Sequence, residues 1–148
     1  MAISISSAEI QFAMITRISD QESTAISQSH DQEEKFREGI QLFNSREFFK
    51  AHEVWEELWL DAAEPEKTFL QGLIQCAAAF HHYTRGNRNG ARSLLENAYA
   101  KLEGFPEAHH GLNLAPLRSA MREFLEAPPH RPRCVPQPLP QIQWLAKS

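Results

Sequence analysis

Few cysteines, no excess of positive charge and no long apolar run: each deficit in this chain of 148 residues removes a class of function. The two cysteines sit far apart, Cys76 in an apolar stretch and Cys134 in a proline-rich one. That pattern gives neither CxxC redox chemistry nor a disulfide framework, and it fits a reducing cytoplasm. Lysine and arginine number 15 against 19 aspartates and glutamates, for a net charge of -4. A protein without a basic surface has nothing with which to neutralise phosphates, so nucleic acid is not an expected partner. No run approaches the roughly 18 apolar residues of a membrane span, so no membrane partner is expected. The first residues lack the charged and apolar regions of a signal peptide.

What is present divides into three zones. Residues 1 to 30, rich in Ser, Ile and Gln, read as a disordered or extended N-terminal arm. Residues 31 to 126 carry helical periodicity nearly throughout and form the expected domain. Residues 127 to 148 contain six prolines, at 128, 129, 132, 136, 138 and 140, which forbid helix over most of that tail. The tail ends in Ile142, Trp144 and Leu145. Exposed tryptophan gains nothing in water, so the tail is expected to dock Trp144 in an apolar groove, on its own bundle or on a second subunit.

The middle zone predicts five helices and an all-α fold, since nowhere does it show the strict alternation of a half-buried strand. The first helix is placed from Asp31, with Glu34 as a capping-box partner and Phe36, Ile40 and Phe43 as its stripe. Asn44 and Glu47 form a similar start signal for the second, which runs to about Asp61. Pro65 opens the third and Gly86 closes it. The fourth covers Asn87 to Lys101 with Ala91, Leu94, Leu95, Ala98 and Leu102 inward. The fifth carries Pro116 in its first turn, then Leu117, Met121, Phe124 and Leu125.

The chain echoes itself at an offset of 40 residues, Phe43–Trp59 aligning with Tyr83–Tyr99. Ala51 matches Ala91, Trp55 matches Leu95, Glu56 matches Glu96 and Trp59 matches Tyr99. Each unit is a helix end, a tight turn and a second helix with a small residue where neighbours approach. The expected architecture is a compact bundle of antiparallel helical hairpins, weakly tetratricopeptide-like.

One stretch, Ala51-His52-Glu53-Val54-Trp55-Glu56-Glu57-Leu58-Trp59, concentrates the chemistry. At about 100° per residue, His52, Glu56 and Trp59 share a wide face that Phe48 and Trp55 extend. That face is expected to be buried, with Trp55 and Trp59 as walls, so His52 and Glu56 each require a partner. On the third helix Gln71, Gln75, Ala78 and His82 form a polar stripe on an otherwise apolar cylinder. Helices joined by a short loop pack antiparallel, which would bring Gln75 and His82 to His52 and Glu56. His and Glu at i, i+4 can reach one divalent metal ion, with His82, Glu53 or the Gln75 carbonyl oxygen completing the set. A second candidate, for an anion, is Arg85, Arg88 and Arg92 beside the start of the fourth helix. His81-His82 diverge around their helix, and His109-His110 fall in a loop, a solvated place by default.

Phe43-Asn44, the Ala51 to Trp59 stretch, Gly72-Leu73-Ile74-Gln75 and Gly86-Asn87-x-x-Gly90-Ala91 together resemble the family known as domain of unknown function 309, over about residues 33 to 125. The resemblance implies an all-helical protein and a His-x-x-x-Glu-x-x-Trp/Tyr motif suggested to bind metal, here His52, Glu56 and Trp59. It implies no reaction. Two functions follow from the residues, and they leave open whether the chain is an enzyme. In the first, His52 and Glu56 hold a metal ion or small ligand, and water on the ion would be the nucleophile of a hydrolysis. In the second, the chain is a non-catalytic helical-hairpin module that binds a protein partner or a second copy, and His52 and Glu56 are a structural hydrogen-bonded pair.

Overall fold

Among the described residues five helices follow one another: α1 (residues 29–44), α2 (Phe48–Asp61), α3 (Glu66–Thr84), α4 (Arg88–Glu103) and α5 (Ala115–Glu126). These come from a computed structural model that describes residues 29–126 and 139–146. The expectations for the N-terminal arm up to residue 28, for Cys134 and for the prolines at 128 to 138 lie outside the described residues. The all-α class holds. Met1–Glu34 and Lys35–Ser148 form two compact units. In the first, residues 29–34 are helical, with His30 Nδ1 3.5 Å from Glu34 Oε1. The helix is already formed at residue 29, so Asp31 lies inside it and is not its cap.

In the larger unit the apolar stripes set how the helices pack. α3, apolar nearly all round, buries nine residues from Phe69 to Phe80 and therefore has to be wrapped. α2 runs antiparallel to it, Phe48 meeting Phe80 at one end (5.8 Å between ring centroids) and Trp59 meeting Lys67 at the other. α4 runs antiparallel on another side: a Cβ on Gly72 would fall 2.8 Å from Leu102, so only glycine permits that approach. α5 returns along α4, its Arg118 donating to the carbonyls of Leu102 and Phe105, and its Phe124 packing on Phe80 and Tyr83. The described part of α1 buries Phe36, Ile40 and Phe43, the expected stripe.

The 40-residue echo is written into the backbone. After α1, Ser45 N–H bonds Gln41 O, Arg46 N–H bonds Phe43 O and Glu47 N–H bonds Leu42 O. After α3, Arg85, Gly86 and Asn87 repeat the pattern onto His81, Tyr83 and His82. Both are helix ends in which one left-handed residue redirects the chain, Arg46 at φ 68° and Gly86 at φ 84°. Ala51 and Ala91 are both buried, as small residues at helix contacts should be.

The sequence did not foretell a three-stranded antiparallel sheet, β1 (Ala108–His109), β2 (Leu112–Asn113) and β3 (Gln143–Trp144), in the order β1-β2-β3. Strands two residues long are too short for alternation to register. Nor is Asn44 the cap of α2. That place belongs to Glu47, which makes no side-chain cap bond, while the Asn44 amide holds the backbone of Ile142.

Candidate functional site

The direction of the core across α2 decides what its motif can do. Phe48, Ala51 and Trp55 are the buried residues of the helix. Measured from Trp55 at about 100° per residue, Trp59 lies roughly 40° round, His52 roughly 60° and Glu56 roughly 100°. Burial follows that order. Trp59 is half-buried, the His52 side chain keeps 22% of its exposure and Glu56 keeps 54%. The expectation of a buried His52/Glu56 pair is therefore corrected: His52 is on the rim and Glu56 is in solvent, like its repeat counterpart Glu96. Their atoms still meet, His52 Nε2 lying 3.1 Å from Glu56 Oε1.

Trp55 is corrected too. It is fully buried, its indole N–H donates to the Phe36 carbonyl at 3.3 Å, and its ring lies against Gly39, where a Cβ would collide with it. It is core and forms no wall of a site. Trp59 does face a cavity, an open groove of about 590 Å³ between α2 and α3. Glu53, Glu56 and Glu57 line the α2 side with Trp59 and Leu60, and Gln71 and Ile74 line the α3 side. Lys35 neutralises Glu57 at 2.8 Å, and Lys67 sits 4.2 Å over the Trp59 ring. Leu60 and Phe49, both on α2, are exposed at 69% and 50%.

From α3 it is His81, and not His82, that approaches His52. The Phe49 ring stacks on the His52 imidazole (5.6 Å, 25°) and leans on His81 (5.2 Å). Partial burial, then the charges of Arg85, His82 and His52, hold His81 below the usual histidine range. His82 turns away to Asn87, 3.3 Å from ring nitrogen to amide. Among the described residues, two buried side-chain atoms have no hydrogen-bond partner, His52 Nδ1 and Gln75 Oε1. With Nε2–H given to Glu56, a neutral His52 presents Nδ1 as an acceptor.

A metal ion requires three or four protein donors, and His52 with Glu56 supplies two. Among the described residues the one group of three His, Cys, Asp or Glu residues whose donor atoms all lie within 4.8 Å of one another is His30, Asp31 and Glu34, all exposed and on the other unit. The donors around His52 do not fit a closed metal site. At the arginine cluster, Arg88 lies over the Tyr83 ring at 5.9 Å and Arg85 and Arg92 are exposed. Asn87 already caps α4 by accepting from Gly90 N–H at 3.1 Å.

Two arrangements escaped the sequence. Glu66, in the first turn of α3, is clasped by both loop histidines: His109 Nε2 lies 3.1 Å from Oε1 and His110 Nδ1 3.2 Å from Oε2. The rings of Phe69 and Phe105 flank His109, and that of Phe36 flanks His110. These histidines are not the solvated pair that a loop position suggested. The local signal was His110-Gly111, a turn in which both residues have positive φ. A pairing across 43 residues has no local signature. The second is the tail: Pro140 and Ile142 are its buried residues, Ile142 at 2%, whereas the expected anchor Trp144 stays 38% exposed.

No helix among the described residues is long and apolar enough to cross a membrane. Residues 36–94 match the family described as a domain of unknown function (DUF309). An uncharacterized protein of Aquifex aeolicus (strain VF5) is 31% identical over 93 residues, which make up 62% of this chain; the chain spans only 28% of that relative's length. A crystal structure of a conserved hypothetical protein from Thermus thermophilus is 38% identical, with a TM-score of 0.53, covering 62% of this chain and 95% of that one. His52, Trp55, Glu56, Trp59 and Gln75 all fall within the matched stretch, and the sheet falls outside it. Through residues 36–94, then, this chain belongs to the DUF309 family, whose function is unknown.

Proposed function

We propose that this protein is a non-catalytic helical-hairpin module that binds a protein partner through the groove between α2 and α3. The observation that carries this reading is the chemistry of that groove. Three carboxylates, of Glu53, Glu56 and Glu57, stand beside Trp59 and Ile74, with the exposed Leu60 at the edge. Apolar surface with these carboxylates at its rim, one of them paired with Lys35 and with Lys67 over the Trp59 ring, suits an amphipathic helix with lysines or arginines along its polar side. His52 and Glu56 then form a polar rim, and their pairing at 3.1 Å orders the α2 wall without performing chemistry. An exposed carboxylate paired with a half-buried imidazole gives by itself no argument for a reaction.

The test uses a synthetic amphipathic helix of lysine and leucine as the probe and tryptophan fluorescence as the readout. Binding should saturate and weaken steeply with salt, because carboxylates supply part of it. Glu53→Gln with Glu56→Gln should weaken it about tenfold, the loss of roughly 1.4 kcal/mol expected for two rim charges. Equal binding by the double variant would overturn the reading.

A further inference from the structure

The tail strand is held on both of its edges. On one, β3 pairs with β2 in the register Leu112↔Trp144 and Asn113↔Gln143, and Leu145 N–H donates to Gly111 O at 2.9 Å. In an antiparallel ladder the residues alternate. With 111/145 bonded across, Gln143 points its N–H and C=O at β2, and Ile142 and Trp144 point theirs away. At Ile142 that outer edge is met by one side chain: Asn44 Nδ2 donates to Ile142 O at 3.0 Å, and Asn44 Oδ1 accepts from Ile142 N–H at 2.7 Å. The amide of Asn44 stands where a further strand would. Between the two edges the Ile142 side chain is buried, and the Trp144 ring lies near Gly111, under the Arg37 guanidinium at 4.7 Å.

This is a slot for extended chain. Its hydrogen bonds go to backbone and so ignore sequence. Its selectivity comes from one aliphatic pocket and, two residues on, a shelf for an aromatic ring. Every group that builds it precedes residue 127, so the slot does not depend on which chain delivers the segment. The present occupant is held by two ladder pairs, three further hydrogen bonds and the burial of Pro140 and Ile142, with Trp144 and Leu145 still 38% and 42% exposed. Residues 127–138, which join it to the rest of the chain, include five prolines.

We propose that the slot between β2 and Asn44 is a recognition site for an extended protein segment of the form aliphatic-x-aromatic, which the chain's own Ile142 to Trp144 fills here and a partner's segment takes when the tail leaves. The tail is then a competitor, present at the millimolar effective concentration of a tethered ligand, and it sets the threshold that a partner must exceed. The slot lies on α1 and β2, apart from the α2/α3 groove, and stands or falls independently of it.

The probe is a fluorescent, end-blocked peptide of residues 139–146, added to the full chain. Ile142→Asp should eject the tail and leave the slot open, so that chain should bind the peptide at least about tenfold more tightly than the wild type. Adding Asn44→Ala to Ile142→Asp should abolish the binding, and a peptide carrying Asp in place of its isoleucine should not bind. A folded Ile142→Asp chain that ignores the peptide, or binding indifferent to Asn44, overturns the proposal. Should Ile142→Asp fail to fold, hydrogen exchange in the wild-type chain decides. Excess peptide should speed exchange of the Leu145 amide severalfold by displacing the tail, and an unchanged rate overturns the proposal.

Discussion

The two hairpin turns, 44–47 and 84–87, make the same backbone hydrogen bonds and differ in where each uses its asparagine. In the second turn Asn87 caps the helix that follows, accepting from Gly90 N–H. In the first, the asparagine lies three residues earlier, at 44, and reaches out of the repeat to Ile142, while Glu47 at the cap position makes no side-chain bond. One copy is built for its own helix. The other gives up a cap, typically worth about 1 kcal/mol, to hold a segment nearly 100 residues away. The slot thus sits where the two copies stop agreeing.

The largest expected effect tests the positions where they do agree. Trp55 and Leu95 are equivalent, and both are buried, at 0% and 4%. Trp55→Ala should cost about 3–5 kcal/mol and Leu95→Ala about 2–5, read from chemical denaturation. Trp55 adds a hydrogen bond to Phe36 O and fills the space over Gly39, so its loss should be the greater. A Trp55→Ala chain no less stable than Leu95→Ala would mean the first hairpin is the looser copy. Next, Ala51→Leu and Ala91→Leu should each overpack a helix contact by roughly 1–3 kcal/mol. If one variant were as stable as the wild type, the equivalence of the two contacts would fail.

A smaller effect separates the turns themselves. Arg46 and Gly86 share the left-handed conformation, which costs a residue with a Cβ about 1 kcal/mol and glycine almost nothing. Arg46→Gly should thus stabilise the protein by about 0.5–1 kcal/mol. Gly86→Ala should destabilise it by a similar amount, strain alone being responsible, since a Cβ there meets open space. Opposite shifts in melting temperature check the pair, and shifts of the same sign would break the comparison.

What could be read from the sequence follows the range of the interaction. The helices, the left-handed Gly86 and the buried Ala51 and Ala91 come from periodicities and caps that act within a turn or two, and the 40-residue echo registers them twice. Asparagine before a helix usually starts it, and nothing local distinguishes that use of Asn44 from a clamp on Ile142. Glu66 with His109 and His110, and Ile142 as anchor, depend on contacts across 40 to 100 residues and so left no local trace. Glu56 fails differently. A helix that carries Phe48 and Trp55 has its core direction set by those bulkier residues, and Glu56 lies about 100° off that axis.

The smallest expected effect is at Glu56, and it tests that last argument. Were the His52–Glu56 pair buried, removing the charge from one partner would leave the other uncompensated and cost about 3–5 kcal/mol. With Glu56 54% exposed, solvent screens the pair, and measured values for such pairs are about 0.2–1 kcal/mol. Glu56→Gln keeps the shape and a hydrogen-bonding oxygen, so its effect on stability should stay within about 0.5 kcal/mol, matching that of Glu96→Gln at the equivalent exposed position. Denaturation midpoints of the two variants, measured side by side near neutral pH, give the comparison. A loss at Glu56 several times that at Glu96 would show that His52 holds more than a surface partner. The unpartnered Nδ1 of His52 would then be the place to look for what it holds.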